Sequence, residues 1–173
     1  MRIRALVDGD LEAIHRIYAH HVAHSLGTFE TEPPDLREMQ ARCASIVGAG
    51  SPYVVAERDG RVLGYAYATQ FRSRAAYRGT VEDSIYVAAG ESGRGIGKAL
   101  LGALVDLCQA QGLRQMLAFI GDSQNAASIR AHRACGFADV GVMAHVGRKL
   151  DRWVDVVIMQ RHLRGSESEP VGP

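Results

Sequence analysis

The stretch Ser92-Gly93-Arg94-Gly95-Ile96-Gly97-Lys98-Ala99-Leu100 lies between a predicted strand and the helix that it opens. Glycines allow backbone amides to approach an anion closely, and the positive end of the helix dipole adds to the attraction. The stretch therefore predicts a site for a phosphate group at the point where a strand runs into a helix.

Glycine-rich turns of this kind occur in several classes of nucleotide-binding protein, and a tight turn without any ligand is an equally plain alternative. A Walker A loop needs Gly at position 92 and Ser or Thr at position 99, where this chain has Ser92 and Ala99. A dinucleotide fingerprint reads G-x-G-x-x-G near the first strand, whereas this chain has G-x-G-x-G after a hairpin. Both differences argue against these two classes.

The segments around the turn predict a parallel crossover unit. Val81 to Val87 has the pattern of a strand, Gly95 to about Gln111 that of a helix, and Arg114 to Ile120 that of a second strand. A further helix is predicted from about Asn125 to Cys135, and Gly136 then provides a left-handed cap.

The two ends of the chain predict further strands and helices, so that the fold class is α/β. The predicted domain covers residues 1–164, and the polar residues 165–173 are expected to form a disordered tail. The remaining predicted elements are a strand over Arg2–Leu6, a helix capped by Asp8, a helix from a capping box of Asp35 and Glu38 to about Val47, two strands around Asp59-Gly60, and a hairpin of Ala138–Val146 and Trp153–Arg161 around a basic turn.

Composition excludes several classes of partner. The chain has 173 residues, 47% of them hydrophobic, and a net charge of +1, so nothing points to nucleic acid or to a membrane surface. The first ten residues carry charges where a signal peptide needs an apolar run, and no stretch approaches the ~18 apolar residues of a membrane span. Three distant cysteines without zinc spacing fit a reducing compartment, and we expect a cytoplasmic location.

Two motifs at their correct mutual spacing resemble the Gcn5-related N-acetyltransferase (GNAT) superfamily. That superfamily writes its turn as Q/R-x-x-G-x-G/A, here with Ser92 at the first position, and its next motif as N-x-x-A-x-x-x-Y-x-x-x-G-F, here with His132 at the tyrosine. A closer similarity is to the phosphinothricin and methionine sulfoximine acetyltransferases. It is carried by Ser25-Leu-Gly-Thr-Phe-Glu-Thr-Glu, Phe71-Arg-Ser-Arg, Tyr77-Arg-Gly-Thr-Val-Glu-Asp-Ser-Ile-Tyr-Val and Lys149-Leu-Asp-Arg-Trp-Val-Asp-Val.

The resemblance implies a fold, a cosubstrate and an acceptor. The implied fold is a mixed, mostly antiparallel sheet of about six or seven strands, splayed between the fourth and fifth, with about four helices. The implied activity transfers an acetyl group from acetyl-CoA to the primary amine of an amino-acid-like acceptor of the phosphinothricin, methionine sulfoximine or methionine sulfone type. A homodimer is also implied. The implied acetyl-CoA contacts are Ile85, Tyr86, Val87, Ser92, Gly93, Arg94, Gly95, Ile96, Gly97, Lys98, Asn125 and Ser128.

Two residues are candidates for moving protons. Glu82 lies within a strand that should be central, where burial raises the pKa of a carboxylate toward a value useful for a general base. His132 could relay the proton of the amine or protonate the leaving thiolate. An ordinary strand carboxylate and a helix-face histidine are the alternatives, and a ping-pong reaction through a cysteine is the rival mechanism.

The acceptor site is predicted from cations and aromatic residues. Arginine suits a substrate with two anionic groups, although surface charge explains many such residues. His20 and His24 have a metal spacing without an evident third ligand, so we expect no metal. An acetyltransferase of another acceptor class and a non-catalytic acyl-CoA-binding module are the rival functions. The predicted acceptor contacts are Phe29, Arg72, Arg74, Tyr77, Lys149 and Trp153.

Overall fold

The computed structural model describes residues 1–163, so the predicted tail over residues 165–173 lies outside the described residues. The helices and strands follow one another along the chain as β1 (Arg2–Ala5), α1 (Leu11–His24), α2 (Leu36–Gly48), β2 (Tyr53–Arg58), β3 (Arg61–Gln70), β4 (Thr80–Val87), α3 (Ile96–Ala110), β5 (Gln115–Gly121), α4 (Ala126–Ala134), β6 (Ala138–Lys149) and β7 (Arg152–His162). Short 3-10 turns lie at Asp8–Asp10 and Ala75–Tyr77.

The seven strands form one sheet in the order β1-β2-β3-β4-β5-β7-β6. The β4–β5 pair is parallel and every other neighbouring pair is antiparallel. The predicted α/β class, with a mixed sheet, is therefore confirmed.

The sheet splits between its fourth and fifth strands. The strands β4 and β5 pair only from Thr80 opposite Gln115 to Glu82 opposite Leu117. Beyond that point each strand stays paired with its outer neighbour, β4 with β3 as far as Val87 and β5 with β7 as far as Gly121. The predicted splay is thus confirmed, and it leaves a wedge-shaped gap in the middle of the sheet.

Helices cover both faces of the sheet. The α1/α2 face is a cluster of apolar and tyrosine side chains that includes Ile14, Met39 and Tyr65. The α3/α4 face is a larger apolar cluster that includes Leu104 and Met116. Successive residues of a strand point to opposite faces, so β2, β3 and β4 contribute alternately to the two clusters.

Local signals explain most helix and strand ends. The turn Asp59-Gly60 joins β2 and β3 with both residues at positive φ, 51° and 76°, as a two-residue hairpin requires. The side chain of Asp35 caps α2 by accepting from the amide of Glu38 at 2.7 Å. Asn125 caps α4 by accepting from the amide of Ser128 at 3.2 Å.

Two predicted boundaries were wrong. Asp8 begins a 3-10 turn, and the helix α1 starts only after Asp10, whose carboxylate is paired with Arg4 at 2.6 Å. The last hairpin is longer than predicted, because β6 runs to Lys149 and the turn consists of Leu150 and Asp151 at positive φ. The supposed basic turn is therefore part of a strand.

The loop between α1 and α2 rests on two glycines of the sheet. A Cβ atom at Gly121 of β5 would collide with the carbonyl oxygen of Leu26, and one at Gly147 of β6 would collide with the ring of Phe29. Only glycine allows the loop to approach the sheet this closely.

We expect Gly121→Ala to lower the free energy of unfolding by about 1–3 kcal/mol, because the added methyl group must displace backbone of the loop. Gly102→Ala is the matched control, since that glycine lies within α3 with open space around it, and alanine there should stabilise by up to about 1 kcal/mol. Urea denaturation of both variants measures the difference. Equal free energies of unfolding for the two variants would contradict the close contact between the loop and Gly121.

Candidate active site

A cavity of about 640 Å³ opens where β4 and β5 separate. Its walls come from the loop after α1, the outer half of β4, the glycine-rich turn with the start of α3, the end of β5, and α4. Because the gap passes through the sheet, side chains from both faces reach the same cavity.

The glycine-rich turn forms one end of the cavity. Gly93 and Gly95 have positive φ, 79° and 78°, and Gly95 is the residue that precedes α3. The first backbone bond of the helix runs from the amide of Ala99 to the carbonyl of Gly95, so the preceding amides have no partner within the helix. The first turn of α3 contains no acidic residue. This arrangement suits a phosphate group.

Most of the residues predicted to contact acetyl-CoA line this cavity. Arg94 does not line the cavity, and its guanidinium pairs with Glu91 at 3.3 Å. The Glu91 oxygen of this ion pair, Oε2, is itself buried and makes no hydrogen bond within residues 1–163. The predicted contacts that line the cavity are Ile85, Tyr86, Val87, Ser92, Gly93, Gly95, Ile96, Gly97, Lys98, Asn125 and Ser128.

Glu82 lies at the last position where β4 pairs with β5, on the same face as Tyr86 of the α1/α2 cluster. Its side chain lines the cavity, and among the described residues it makes no hydrogen bond or ion pair. Burial, followed by the charge of Asp83, raises the pKa of Glu82 above its ordinary value. A half-buried carboxylate without a partner is free to accept a proton from a bound molecule.

His132 lies in α4 on the opposite side of the cavity and is buried. Its Nε2 is 3.1 Å from Oδ1 of Asp83, and its Nδ1 is 2.8 Å from the carbonyl oxygen of Ser128. Burial alone would lower the pKa of His132, but the hydrogen bond and charge of Asp83 and the carbonyl of Ser128 raise it overall.

Asp83 was not predicted as a site residue, although it directly follows Glu82. Adjacent residues of a strand point to opposite faces, so Glu82 and Asp83 enter the cavity from different sides. That alternation was a usable signal for Asp83. The cavity also includes His21, Phe119 and Arg130, which the sequence analysis did not select.

Of the predicted acceptor contacts, the structure brings only Phe29 to the cavity. Arg72 lies over the ring of Phe71, 5.1 Å from its centre, and Tyr77 packs edge-on against the same ring. Trp153 is 65% exposed on β7. Arg74 also lies outside the cavity lining.

Lys149 is buried and binds the loop of the cavity wall instead of facing the cavity. Its Nζ donates to the carbonyl oxygen of Thr28 at 2.8 Å and to that of His21 at 3.4 Å. Burial lowers the pKa of Lys149, and the charge of Glu30 opposes that shift. The side chain of Lys149 therefore links the loop after α1 to the last hairpin by hydrogen bonds.

A family model described as the acetyltransferase (GNAT) family matches residues 14–137. The chain belongs to the GNAT acetyltransferase family. It is 51% identical to the phosphinothricin N-acetyltransferase of Alcaligenes faecalis over 166 residues, which cover 96% of this chain and 84% of that protein. It is 41% identical to the L-methionine sulfoximine/L-methionine sulfone acetyltransferase of Pseudomonas paraeruginosa over 162 residues, which cover 93% and 94% of the two chains.

The GNAT fold is also found in a solved relative. The crystal structure of a phosphinothricin acetyltransferase from Sinorhizobium meliloti in complex with acetyl-CoA matches with a TM-score of 0.90 and 48% identity, over 93% of this chain and 87% of that one. Across residues 1–163, no three side chains of the metal-binding types come together. No helix in the same range is long and apolar enough to cross a membrane.

Proposed function

We propose that this chain transfers the acetyl group of acetyl-CoA to the primary amine of a small amino-acid-like acceptor of the phosphinothricin, methionine sulfoximine or methionine sulfone type. The observation that carries this proposal is the cavity at the strand split, with the glycine-rich turn at one end and along its wall Glu82, a carboxylate without a hydrogen-bond partner among residues 1–163. The relatives named above carry out acetylation of acceptors of this kind.

The glycine-rich turn is the proposed binding site for the pyrophosphate of acetyl-CoA. The open amides at the start of α3 supply hydrogen bonds, and the helix dipole favours the negative charge. The edge of β4 from Asp83 to Val87 has no strand partner on the side of β5. Such an edge can bond the amide groups of an extended ligand as a neighbouring strand would.

Glu82 is the proposed general base. An amine attacks a thioester only in its unprotonated form, so the enzyme must take a proton at neutral pH. The raised pKa of Glu82 brings this carboxylate closer to the pH at which it works, which strengthens it as a proton acceptor. Backbone amides of Ile85 to Val87 are proposed to stabilise the negative charge that develops on the carbonyl oxygen.

We also infer a homodimer formed through the last hairpin. The strand β6 lies at one of the two edges of the sheet, and its apolar side chains are exposed to solvent. An uncovered, long edge strand with apolar residues favours pairing with another chain. The exposed apolar residues of this hairpin are Val140, Val142, Met143, Val146, Leu150 and Trp153.

A cytoplasmic location is part of the same proposal. The three cysteines are free and buried, which fits a reducing compartment.

The function is tested by release of the CoA thiol from acetyl-CoA with a panel of amines. We expect fast release with phosphinothricin, methionine sulfoximine and methionine sulfone, and only slow release with an aminoglycoside or with no amine. Gly95→Asp, which places a negative charge in the turn, should abolish acetyl-CoA binding measured by calorimetry. Release that is independent of any amine, or normal binding by the folded variant, would overturn the proposal.

The role of Glu82 is tested by Glu82→Gln, which keeps the size of the side chain and removes the proton acceptor. We expect kcat/KM to fall by about 10²–10⁴-fold with acetyl-CoA binding intact. The wild-type rate should rise with pH through the raised pKa of Glu82, because only the carboxylate form accepts the proton. The defect should shrink at high pH, where more of the amine arrives unprotonated.

Glu12→Gln provides the control for this substitution, since Glu12 is an exposed residue of α1 and should leave the pH profile unchanged. A Glu82→Gln enzyme with the wild-type rate and the wild-type acidic limb would remove Glu82 from the mechanism.

The dimer is tested by light scattering at micromolar concentration, where we expect twice the mass of one chain. Val142→Glu should shift the protein to the monomer because a charge enters the apolar contact. Leu107→Glu is the control, since Leu107 is 43% exposed on α3, away from the hairpin. A monomeric wild-type protein, or equal masses of the two variants, would contradict the assignment.

A further inference from the structure

Three polar side chains form a chain of contacts along one side of the cavity. Oδ1 of Asp83 is 3.1 Å from Nε2 of His132, and Nδ1 of His132 is 3.4 Å from the hydroxyl oxygen of Ser128. All three residues line the cavity. The side chains of His132 and Asp83 are only 4% and 3% exposed, so the contact between them is shielded from bulk water.

The hydrogen-bond partners of these three side chains indicate which of their atoms carry protons. The carbonyl oxygen of Ser128, 2.8 Å from Nδ1, can only accept, so Nδ1 carries a hydrogen. A neutral ring would then present the lone pair of Nε2 to the carboxylate of Asp83, where two lone pairs would repel each other. The pair of His132 and Asp83 must therefore hold one further proton between them, as an imidazolium beside a carboxylate or in shared form.

Among the side chains packed around His132, Asp83 is the group that balances the positive charge of the protonated ring. Glu82 is the neighbouring carboxylate on β4, and its side chain points to the other face. The buried thiol of Cys108 on α3 has a pKa raised to about 12, and burial also raises the pKa of Cys135 after α4, so both thiols are neutral. The side chains of β5 on this face are apolar, namely Met116, Ala118 and Ile120.

The remaining nearby charges lie outside this enclosed pair. Lys98, Arg130 and Arg133 are exposed residues of α3 and α4, and in the described chain none of them bonds to Asp83 or His132. Phe137 packs edge-on against the ring of His132, with 5.0 Å between ring centres. The imidazole is thus held in one orientation with both nitrogens directed at oxygen atoms.

We propose that Asp83, His132 and Ser128 form a proton relay that protonates the departing thiolate, with the Ser128 hydroxyl as the group that touches the sulfur. The inference rests on the proposed acetyl transfer. It gives opposite roles to the two groups of the cavity that exchange protons, Glu82 and the relay. Glu82 accepts the proton of the amine, and the relay supplies the proton of the thiol. Asp83 is a positioning residue, because it acts through His132.

The step balances in atoms and protons. The nitrogen–carbon bond forms, the carbon–sulfur bond breaks, and Glu82 takes the proton of the attacking amine. Ser128 gives its hydroxyl proton to the sulfur and takes the Nδ1 proton of His132. The neutral ring that results keeps its Nε2–H bonded to Asp83 and accepts from the hydroxyl at Nδ1. Because Nδ1 then faces the carbonyl oxygen of Ser128 without a hydrogen, this state is unfavourable and the ring readily regains its proton. Solvent then carries the proton from Glu82 back to the relay.

The relay also excludes His132 as the base for the amine. A general base needs an unprotonated nitrogen aimed at the substrate, and neither nitrogen of this ring offers one. The two interpretations of His132 that its position leaves open, amine relay and thiolate acid, are thereby reduced to the second.

The decisive variant is Ser128→Ala. The Ser128 amide is capped by Asn125 and alanine favours a helix, so the variant should fold normally. We expect kcat to fall more than about tenfold, within the range for loss of one proton-transfer group, while KM for acetyl-CoA changes much less. Ser45→Ala on the exposed face of α2 is the control. An unchanged kcat, or a loss confined to KM, would overturn the relay.

The charge state is tested without any turnover, by NMR titration of the His132 ring nitrogens in the free protein. We expect the wild-type ring to be charged at neutral pH and to lose its proton at lower pH in Asp83→Asn, because the amide no longer favours the charged ring. Asp106→Asn, at an exposed carboxylate of α3, should leave the titration unchanged.

The same shift should appear in the enzyme, since the alkaline limb of kcat reports loss of the relay proton and should move to lower pH in Asp83→Asn. A neutral wild-type ring at neutral pH would overturn the inference whatever the activity. A charged ring in a protein that acetylates none of the amines would overturn the proposed function and leave the proton-holding pair intact.

Discussion

The separation of β4 from β5 is the constraint on which the rest of the structure depends. Three paired positions hold the two strands together at one end, and past Glu82 each strand keeps only its outer partner. The backbone groups freed by this split would be costly if they were buried without partners. In this protein the gap opens into a cavity, and the turn into α3 and the cap of α4 border the same space, so the freed groups can face a bound molecule.

The split also determines how charge is distributed around the cavity. In an unbroken sheet, Glu82 and Asp83 would lie on opposite faces and never serve one ligand. Because the gap opens at this point of the sheet, both carboxylates border the same cavity; within residues 1–163 Glu82 makes no hydrogen bond, whereas Asp83 lies 3.1 Å from His132. A single strand thereby carries both the proposed proton acceptor, Glu82, and the positioning residue of the proposed relay, Asp83.

Much of this fold could be predicted from local sequence. Glycines at positions 93 and 95, Asp59-Gly60 and the capping residues Asp35 and Asn125 each act through neighbours a few residues away, so their patterns identify the turns directly. The contacts within the candidate site were harder to predict from the sequence. His132 meets a carboxylate 49 positions earlier in the chain, and Lys149 bonds to a loop 121 positions away.

Contacts over such distances depend on the register of the sheet, which no short pattern contains. Lys149, with its charged side chain near a turn, therefore resembles a surface cation in the sequence. The cationic segment around Arg72 was a reasonable acceptor site by composition, yet its side chains lie outside the cavity lining and their predicted role stays a prediction.

The burial of the cysteines has a practical consequence at the bench. All three thiols are free but enclosed, and burial raises the pKa of each one. Disulfide exchange proceeds through the thiolate, so these side chains should react slowly with chromogenic disulfide reagents. A continuous colour assay for a small-molecule thiol can therefore be run on the native protein with little background from the chain itself.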